Sequence, residues 1–269
     1  MSAHPRTLAT PAGTLIIYSD RATACQVAGD RMGSAVREAR AKRGRAVLGL
    51  ATGSTPILVY KRLVEQVQAG ELSLEATSTY NLDEYYPISP LDSHSYHAFM
   101  HQHLLEQIGL PPHQTHILDG TVPEAFVTAH CAEFERWIQA DGGLDLQLLG
   151  IGRNGHIGFN EPMDLSVEQA LKLPTRLMPL HPVTLADAAA DFGGQPDLVP
   201  QRALTMGIAT ILAARSILIL AFGAAKATAV AQAIEGPITA SVPASLLQTV
   251  ASRVTWLVDE AASAELNKC

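Results

Sequence analysis

The sequence is poor in the residues that build special-purpose proteins. Only three of its 269 residues are cysteine, Cys25, Cys131 and Cys269. That number is odd and the spacing wide, which argues against a disulfide frame or a cysteine metal site and for free thiols in a reducing compartment. Charged residues make up only 17% and sum to −7, so the chain has no basic footprint for nucleic acid. No apolar run approaches the ~18 residues of a membrane span, and the opening MSAHPRTLAT has no apolar signal core. Linkers, repeats and low-complexity stretches are missing too. The expectation is a soluble cytoplasmic protein, one domain over residues 1–269, with no nucleic-acid or membrane partner. Homo-oligomerisation is left open.

What is present is an apolar fraction of 47%, enough at this length to bury a full core. Continuous apolar runs at Ala46–Ala51 and Leu144–Ile151 read as strands buried on both faces. Thr14–Tyr18, Ser78–Leu82, Thr115–Leu118, Arg202–Met206, Ser216–Ala221 and Val254–Val258 are further strand signals. Helical patterns fall between them, from Asp20 to Arg43, Ile57 to Ala69, Ser93 to Ile108, Glu124 to Ala140 and Ala224 to Ile234. Strands that alternate with helices of crossover length predict an α/β fold, a Rossmann-like and mostly parallel sheet with helices on both faces. Residues 164–194 carry Pro174, Pro179, Pro182 and a Gly-Gly pair. They read as a lid excursion with a short helix near Leu185–Asp191.

Ligands in such sheets bind beyond the carboxyl ends of the strands, and four of those ends carry unusual residues. The Ala46–Ala51 run ends in Thr52-Gly53-Ser54-Thr55 just before a helix. A tight turn, hydroxyls and a helix N-terminus suit a phosphate; the alternative is a Ser/Thr-capped helix with nothing bound. Asp83-Glu84 follows the next strand signal, either as solvated turn residues or with Asp83 as a general base. Leu144–Ile151 runs into a glycine-rich loop bearing Asn154, His156, Asn160 and Glu161. His156 has the ionisation range for proton transfer and Glu161 can orient it; the alternative is a structural histidine. Gly150-x-Gly152-x-x-Gly155 has the letters of a dinucleotide fingerprint, but Pro162 follows too soon for the crossover helix that motif needs. Lys226 lies at the fourth end, as a surface lysine or a phosphate ligand. His94, His97 and His101 share a helical spacing, with His103 nearby; without a cysteine or a placed carboxylate they read as a polar face rather than a metal site.

Four segments together resemble one family. ATGSTP (51–56), NLDEYY (81–86), SYHAFMHQHL (95–104) and GIGRNGHIGFNEP (150–162) are similar to the glucosamine-6-phosphate deaminases, also called isomerases, in motif order over nearly the whole chain. The resemblance implies conversion of an amino-sugar phosphate to a ketose phosphate and ammonia, with no cofactor and no metal. It implies Asp83 as the base moving a proton from C2 to C1, His156 as the ring-opening group and Glu161 as the residue that tunes it. Asn154 falls where members carry an aspartate or asparagine of the ring-opening group. Thr52, Gly53, Ser54, Thr55 and Lys226 match the phosphate-holding positions, and Glu84 and Arg176 are assigned as further substrate contacts.

The chain departs from the family pattern in two places. Leu185 stands where many members have a lid arginine, with Arg176 the substitute cation, and 174–180 lacks the allosteric-site residues of some members, so allosteric activation is not expected. The VPASLLQ run (242–248) resembles relatives acting on the galactosamine epimer. A 6-phosphogluconolactonase-type hydrolase, a non-catalytic sugar-phosphate sensor and a nicotinamide oxidoreductase are the competing classes.

Overall fold

The structure, a computed structural model, describes residues 4–267; Cys269 and the first three residues of the N-terminal reading lie outside it. The chain opens with a hairpin, β1 (Arg6–Thr10) and β2 (Gly13–Tyr18). Asp20 then accepts from Thr23 N at 2.8 Å and caps α1 (Arg21–Arg43), which ends at Gly44 in the left-handed region. Next come β3 (Ala46–Leu50), α2 (Ile57–Gln68) and β4 (Thr77–Asn81). One residue, Leu82, separates β4 from β5 (Asp83–Tyr86). A helix follows in three pieces: α3 (Tyr96–Met100), a π-turn over His101–Leu105, and α4 (Glu106–Ile108). Then come β6 (Thr115–His116), α5 (Val127–Ala140) and β7 (Leu146–Gly150). The second half runs α6 (Val167–Ala170), β8 (Arg176–Pro179), α7 (Pro182–Ala188), β9 (Arg202–Thr205), α8 (Ile208–Ala213), β10 (Ser216–Ala221) and α9 (Ala227–Glu235). A 3₁₀ stretch, Pro243–Arg253, leads into β11 (Val254–Asp259).

Among the described residues, eight strands form one sheet in the order β1-β2-β11-β10-β7-β3-β4-β6, parallel except for the opening hairpin. The mostly parallel, helix-flanked sheet is the one predicted. β3 is buried at every position and β7 at all but its last, as strands covered on both faces must be. α1 and α2 pack together, with α1 against β3, β11 and β2. Trp256 on β11 is fully buried, and its indole N–H donates to Ala12 O at 3.0 Å. Truncating it to alanine would cost about 3–5 kcal/mol.

A second sheet escapes the sequence reading. β5, β9 and β8 form a small antiparallel sheet. Arg202–Thr205 is therefore a strand, as expected, but not of the main sheet. A separate apolar cluster backs it: Tyr85, Ile88, Phe159, Leu180, Ala189, Phe192, Val199 and Ala203, with Leu185 packed against them. The lid helix begins three residues earlier than expected because Pro182 fits a first helical turn and His181 caps it, accepting from Val183 N at 3.1 Å. Thr115–Leu118 pairs only over Thr115–His116. The helix expected from Ala224 opens as a 3₁₀ turn, so Lys226 sits at the cap of α9.

β7 lies beside β3 near the middle of the sheet. From β3 the chain winds outward to β4 and β6, and from β7 the other way to β10 and β11. Their carboxyl ends flank a topological switch point, where open α/β sheets present ligands.

Candidate active site

A cavity of about 240 Å³ opens at that switch point. One wall is the loop after β3. Thr52, Gly53, Ser54 and Thr55 all line it, and Gly53 adopts φ 94°. The turn is held from behind: the fully buried Tyr60 on α2 hydrogen-bonds the backbone of Ala51 in both directions, and Arg21 donates to Ser54 O. Lys226 lines the same cavity. Burial lowers its pKa, and nearby Arg153 lowers it further while Asp187 opposes both.

Asp83, the first residue of β5, forms the second wall. It is 5% exposed, and its carboxylate has no hydrogen-bond partner among the described residues. Burial, reinforced by the charge of Glu84, pushes its pKa up to about 8. A carboxylate kept near neutrality and open to a cavity is suited to take a proton and give it back. The space in front of it depends on Gly158, at φ 56°, where a Cβ would stand 3.3 Å from Asp83 Oδ2 and 3.1 Å from Thr205 Oγ1.

The third wall is the glycine-rich loop after β7. His156 Nδ1 lies 2.8 Å from Asn154 Oδ1 and 3.3 Å from Glu161 Oε2. Asn154 donates its amide to Glu161 Oε2 at 2.8 Å, so its Oδ1 is an acceptor. Nδ1 therefore carries the imidazole proton, and Nε2, without a protein partner among the described residues, is free to act in the cavity. Burial works to raise the Glu161 pKa, but hydrogen bonding and charge from His156, with Thr184 and Asn154, outweigh it and hold the carboxyl at about 2. The ring packs hard on the turn: a Cβ on Gly152 would fall 2.2 Å from His156 Cε1. Asn160, fully buried, fixes the loop by donating to Ile157 O and Met206 O, both at 2.9 Å.

Residues 19–256 match the family model described as glucosamine-6-phosphate isomerases/6-phosphogluconolactonase. The chain belongs to this family. Among its relatives, glucosamine-6-phosphate deaminase 2 of Bacillus subtilis is 45% identical over 222 residues, 82% of this chain and 86% of that protein. The glucosamine-6-phosphate deaminase of Halothermothrix orenii is 44% identical over 221 residues, 82% and 88% of the two chains. A solved structure of a monomeric glucosamine-6-phosphate deaminase matches with a TM-score of 0.85 at 37% identity, covering 93% of this chain and 99% of its own. The 6-phosphogluconolactonase of Trypanosoma brucei shares the fold, with a TM-score of 0.77 at 17% identity and coverage of 94% and 98%.

Within this family member, Thr52–Thr55, Asp83, His156 and Lys226 all reach the cavity. Asn154 and Glu161 stand behind His156. Two expected substrate contacts lie elsewhere. Glu84 points away from the cavity and accepts from Tyr85 N, Tyr96 N and His97 N at 2.9, 2.8 and 2.9 Å, closing the N-terminus of α3. Burial nevertheless pushes its pKa up to about 7. Arg176 donates to Asn160 Oδ1 at 2.9 Å and to Pro174 O at 3.2 Å, tying β8 to the glycine-rich loop. It is absent from the cavity lining. His97 and His101 lie with ring centroids 4.6 Å apart, and His94 stacks on Phe192. Among the described residues, no group of three or more His, Cys, Asp or Glu is placed to hold a metal ion.

The structure adds residues that sequence reasoning missed. Tyr85 and Tyr96 line the cavity from the small sheet and α3, and the lid helix and its extension contribute Thr184, Asp187 and Asp191. Thr184 Oγ1 lies 3.3 Å from His156 Nδ1. The tyrosines stood inside the NLDEYY and SYHAFMHQHL motifs and could have been found there. The lid residues carried no signal, because only the fold brings α7 over His156.

Proposed function

We propose that this protein converts glucosamine 6-phosphate and water to fructose 6-phosphate and ammonia, by an aldose–ketose isomerisation coupled to deamination. The observation that carries the reading is Asp83, a buried carboxylate with no hydrogen bond among the described residues, facing the same cavity as His156 and the Thr52–Thr55 turn. The relatives above, named for that deamination, support it.

In this reading the phosphate rests on the Thr52–Thr55 turn beside Lys226, and its binding energy positions carbons remote from it. His156 Nε2 moves a proton from O1 to the ring oxygen, which opens the pyranose to an aldehyde. The imidazolium formed in transit is balanced by Glu161. Asp83 then takes the C2 proton, giving an enolamine, and returns it to C1. The product is a C2 imine, which water hydrolyses to ketose and ammonia. A base near pKa 8 accepts and releases this proton with little thermodynamic bias at neutral pH.

The test is ammonia release from glucosamine 6-phosphate and from its galactosamine epimer, compared by kcat/KM. The reading predicts turnover with preference for the first; no ammonia from either overturns it. The lactonase branch of the family defines the counter-test. Ester hydrolysis needs no base at an α-carbon, so lactone hydrolysis that survives Asp83→Asn would place the protein in that branch.

A further inference from the structure

The charges around the cavity do not suit a phosphate as they stand. A phosphomonoester carries a charge of about −1.5 to −2 at neutral pH. The cavity lining contains one lysine, Lys226, no arginine, and three carboxylic acids, Asp83, Asp187 and Asp191. Even with Asp83 left out of the count, two carboxylates stand against one ammonium. Leu185, in the lid where a cation would balance the account, packs into the small apolar cluster.

Two arginines stand beside the cavity without lining it: Arg21, which donates to Ser54 O, and Arg153. Arg153, on the glycine-rich loop between Gly152 and Asn154, donates from Nε to Asp187 Oδ2 at 2.9 Å and from Nη2 to Asp187 Oδ1 at 2.5 Å. Asp187 belongs to α7 and lines the cavity. The pair bridges the loop to the lid helix, and its side chains are 45% and 40% exposed, so solvent screens it and it is readily exchanged. Lys226 is close enough to feel both partners.

We propose that Arg153 is the second cation of the phosphate site and that Asp187 is its counter-ion while the site is empty. It rests on the sugar-phosphate reading above. An incoming phosphate replaces the Asp187 carboxylate on the guanidinium fork, which accepts either oxyanion in the same two-pronged geometry. No bond to carbon is made or broken, and the exchange brings a second positive charge to the phosphate beside Lys226. Asp187 thus competes with substrate for Arg153, so removing Asp187 and removing Arg153 act in opposite directions.

The experiment titrates inorganic phosphate into the wild type and into Arg153→Met and Asp187→Asn by calorimetry at fixed ionic strength, with steady-state kinetics on glucosamine 6-phosphate alongside. Both side chains are substantially exposed, so neither change threatens folding. Arg153→Met should raise the phosphate Kd and the KM by about 10-fold or more, with kcat changed less than about threefold. Asp187→Asn should lower the phosphate Kd. A plain lid latch predicts that both variants weaken phosphate binding. That result, or a phosphate Kd within twofold of wild type in Arg153→Met, overturns the proposal. Phosphate titration requires no turnover, so the two readings fail separately. Opposed responses in a protein that releases no ammonia would sink only the deaminase reading, and an active deaminase indifferent to Arg153→Met would sink only this one.

Discussion

Two of the cavity's three walls treat a buried carboxylate in opposite ways. Asp83, on β5, and Glu161, on the glycine-rich loop, are 5% and 3% exposed, and burial pushes both pKa values up. Among the described residues Asp83 meets no hydrogen-bond donor and has a second carboxylate next to it, and it rises to about 8. Glu161 meets His156, Thr184 and Asn154 and is held at about 2. What separates the raised carboxyl from the fixed counter-charge here is the company each keeps, not depth.

The largest test of that contrast is Asp83→Asn. Its kcat should fall by roughly 10²–10⁴, measured as ammonia release. In the wild type, the acid limb of kcat/KM should lie well above the ordinary carboxylate range, toward about 8. Stability should move the other way. The folded pKa lies above the unfolded one, so the wild type loses stability as pH rises from about 4 to about 8. Asp83→Asn should therefore melt higher than wild type at pH 8, with the gap closing toward pH 4. An asparagine variant that is less stable at pH 8 would contradict the strained-base picture.

Glu161→Gln should reverse that pattern. Its folded pKa lies below the ordinary value of 4.5, so its stabilisation is complete above that pH and lost as pH falls toward about 2. Denaturant unfolding should show a deficit of about 1–3 kcal/mol at pH 7 that shrinks under acid. Losing the charge behind His156 should cost kcat about 10–100-fold. Thr184→Val is the smallest of the three. It removes one hydroxyl 3.3 Å from His156 Nδ1, and kcat should fall about 2–5-fold with the melting temperature almost unmoved.

The main sheet was legible because its central strands are short apolar runs closed by glycines and hydroxyls, as at Ala46–Leu50 and Leu146–Gly150. The small sheet was not. β5 reads DEYY and β8 reads RLMP, four residues each, with charges and a proline where strand propensity expects branched apolar side chains. Their pairing with β9 comes from residues distant in sequence. The same blindness explains Glu84 and Arg176. Adjacent residues of a strand face opposite sides, so once Asp83–Tyr86 is a strand, only one of Asp83 and Glu84 can reach the cavity. Arg176 lies on a strand that was never suspected. The cavity residues on the loops after β3 and β7 were legible because both loops announce themselves with glycines at the ends of buried strands. Thr184, Asp187 and Asp191 were hidden because no local pattern says which face of a lid helix a distant loop will meet.

Leu82 has a wider consequence. It alone separates β4 from β5, its N–H bonded to Leu50 O at 2.9 Å and its carbonyl accepting from Met206 N at 2.6 Å, so it belongs to both sheets at once. The length of that joint sets the register of β5. Deleting or inserting one residue there shifts β5 by one place and exchanges its two faces. The aspartate would turn toward α3 and a neighbour would take its place at the cavity. A single-codon insertion or deletion at this joint would thus take the aspartate out of the cavity while leaving every side chain of β5 intact.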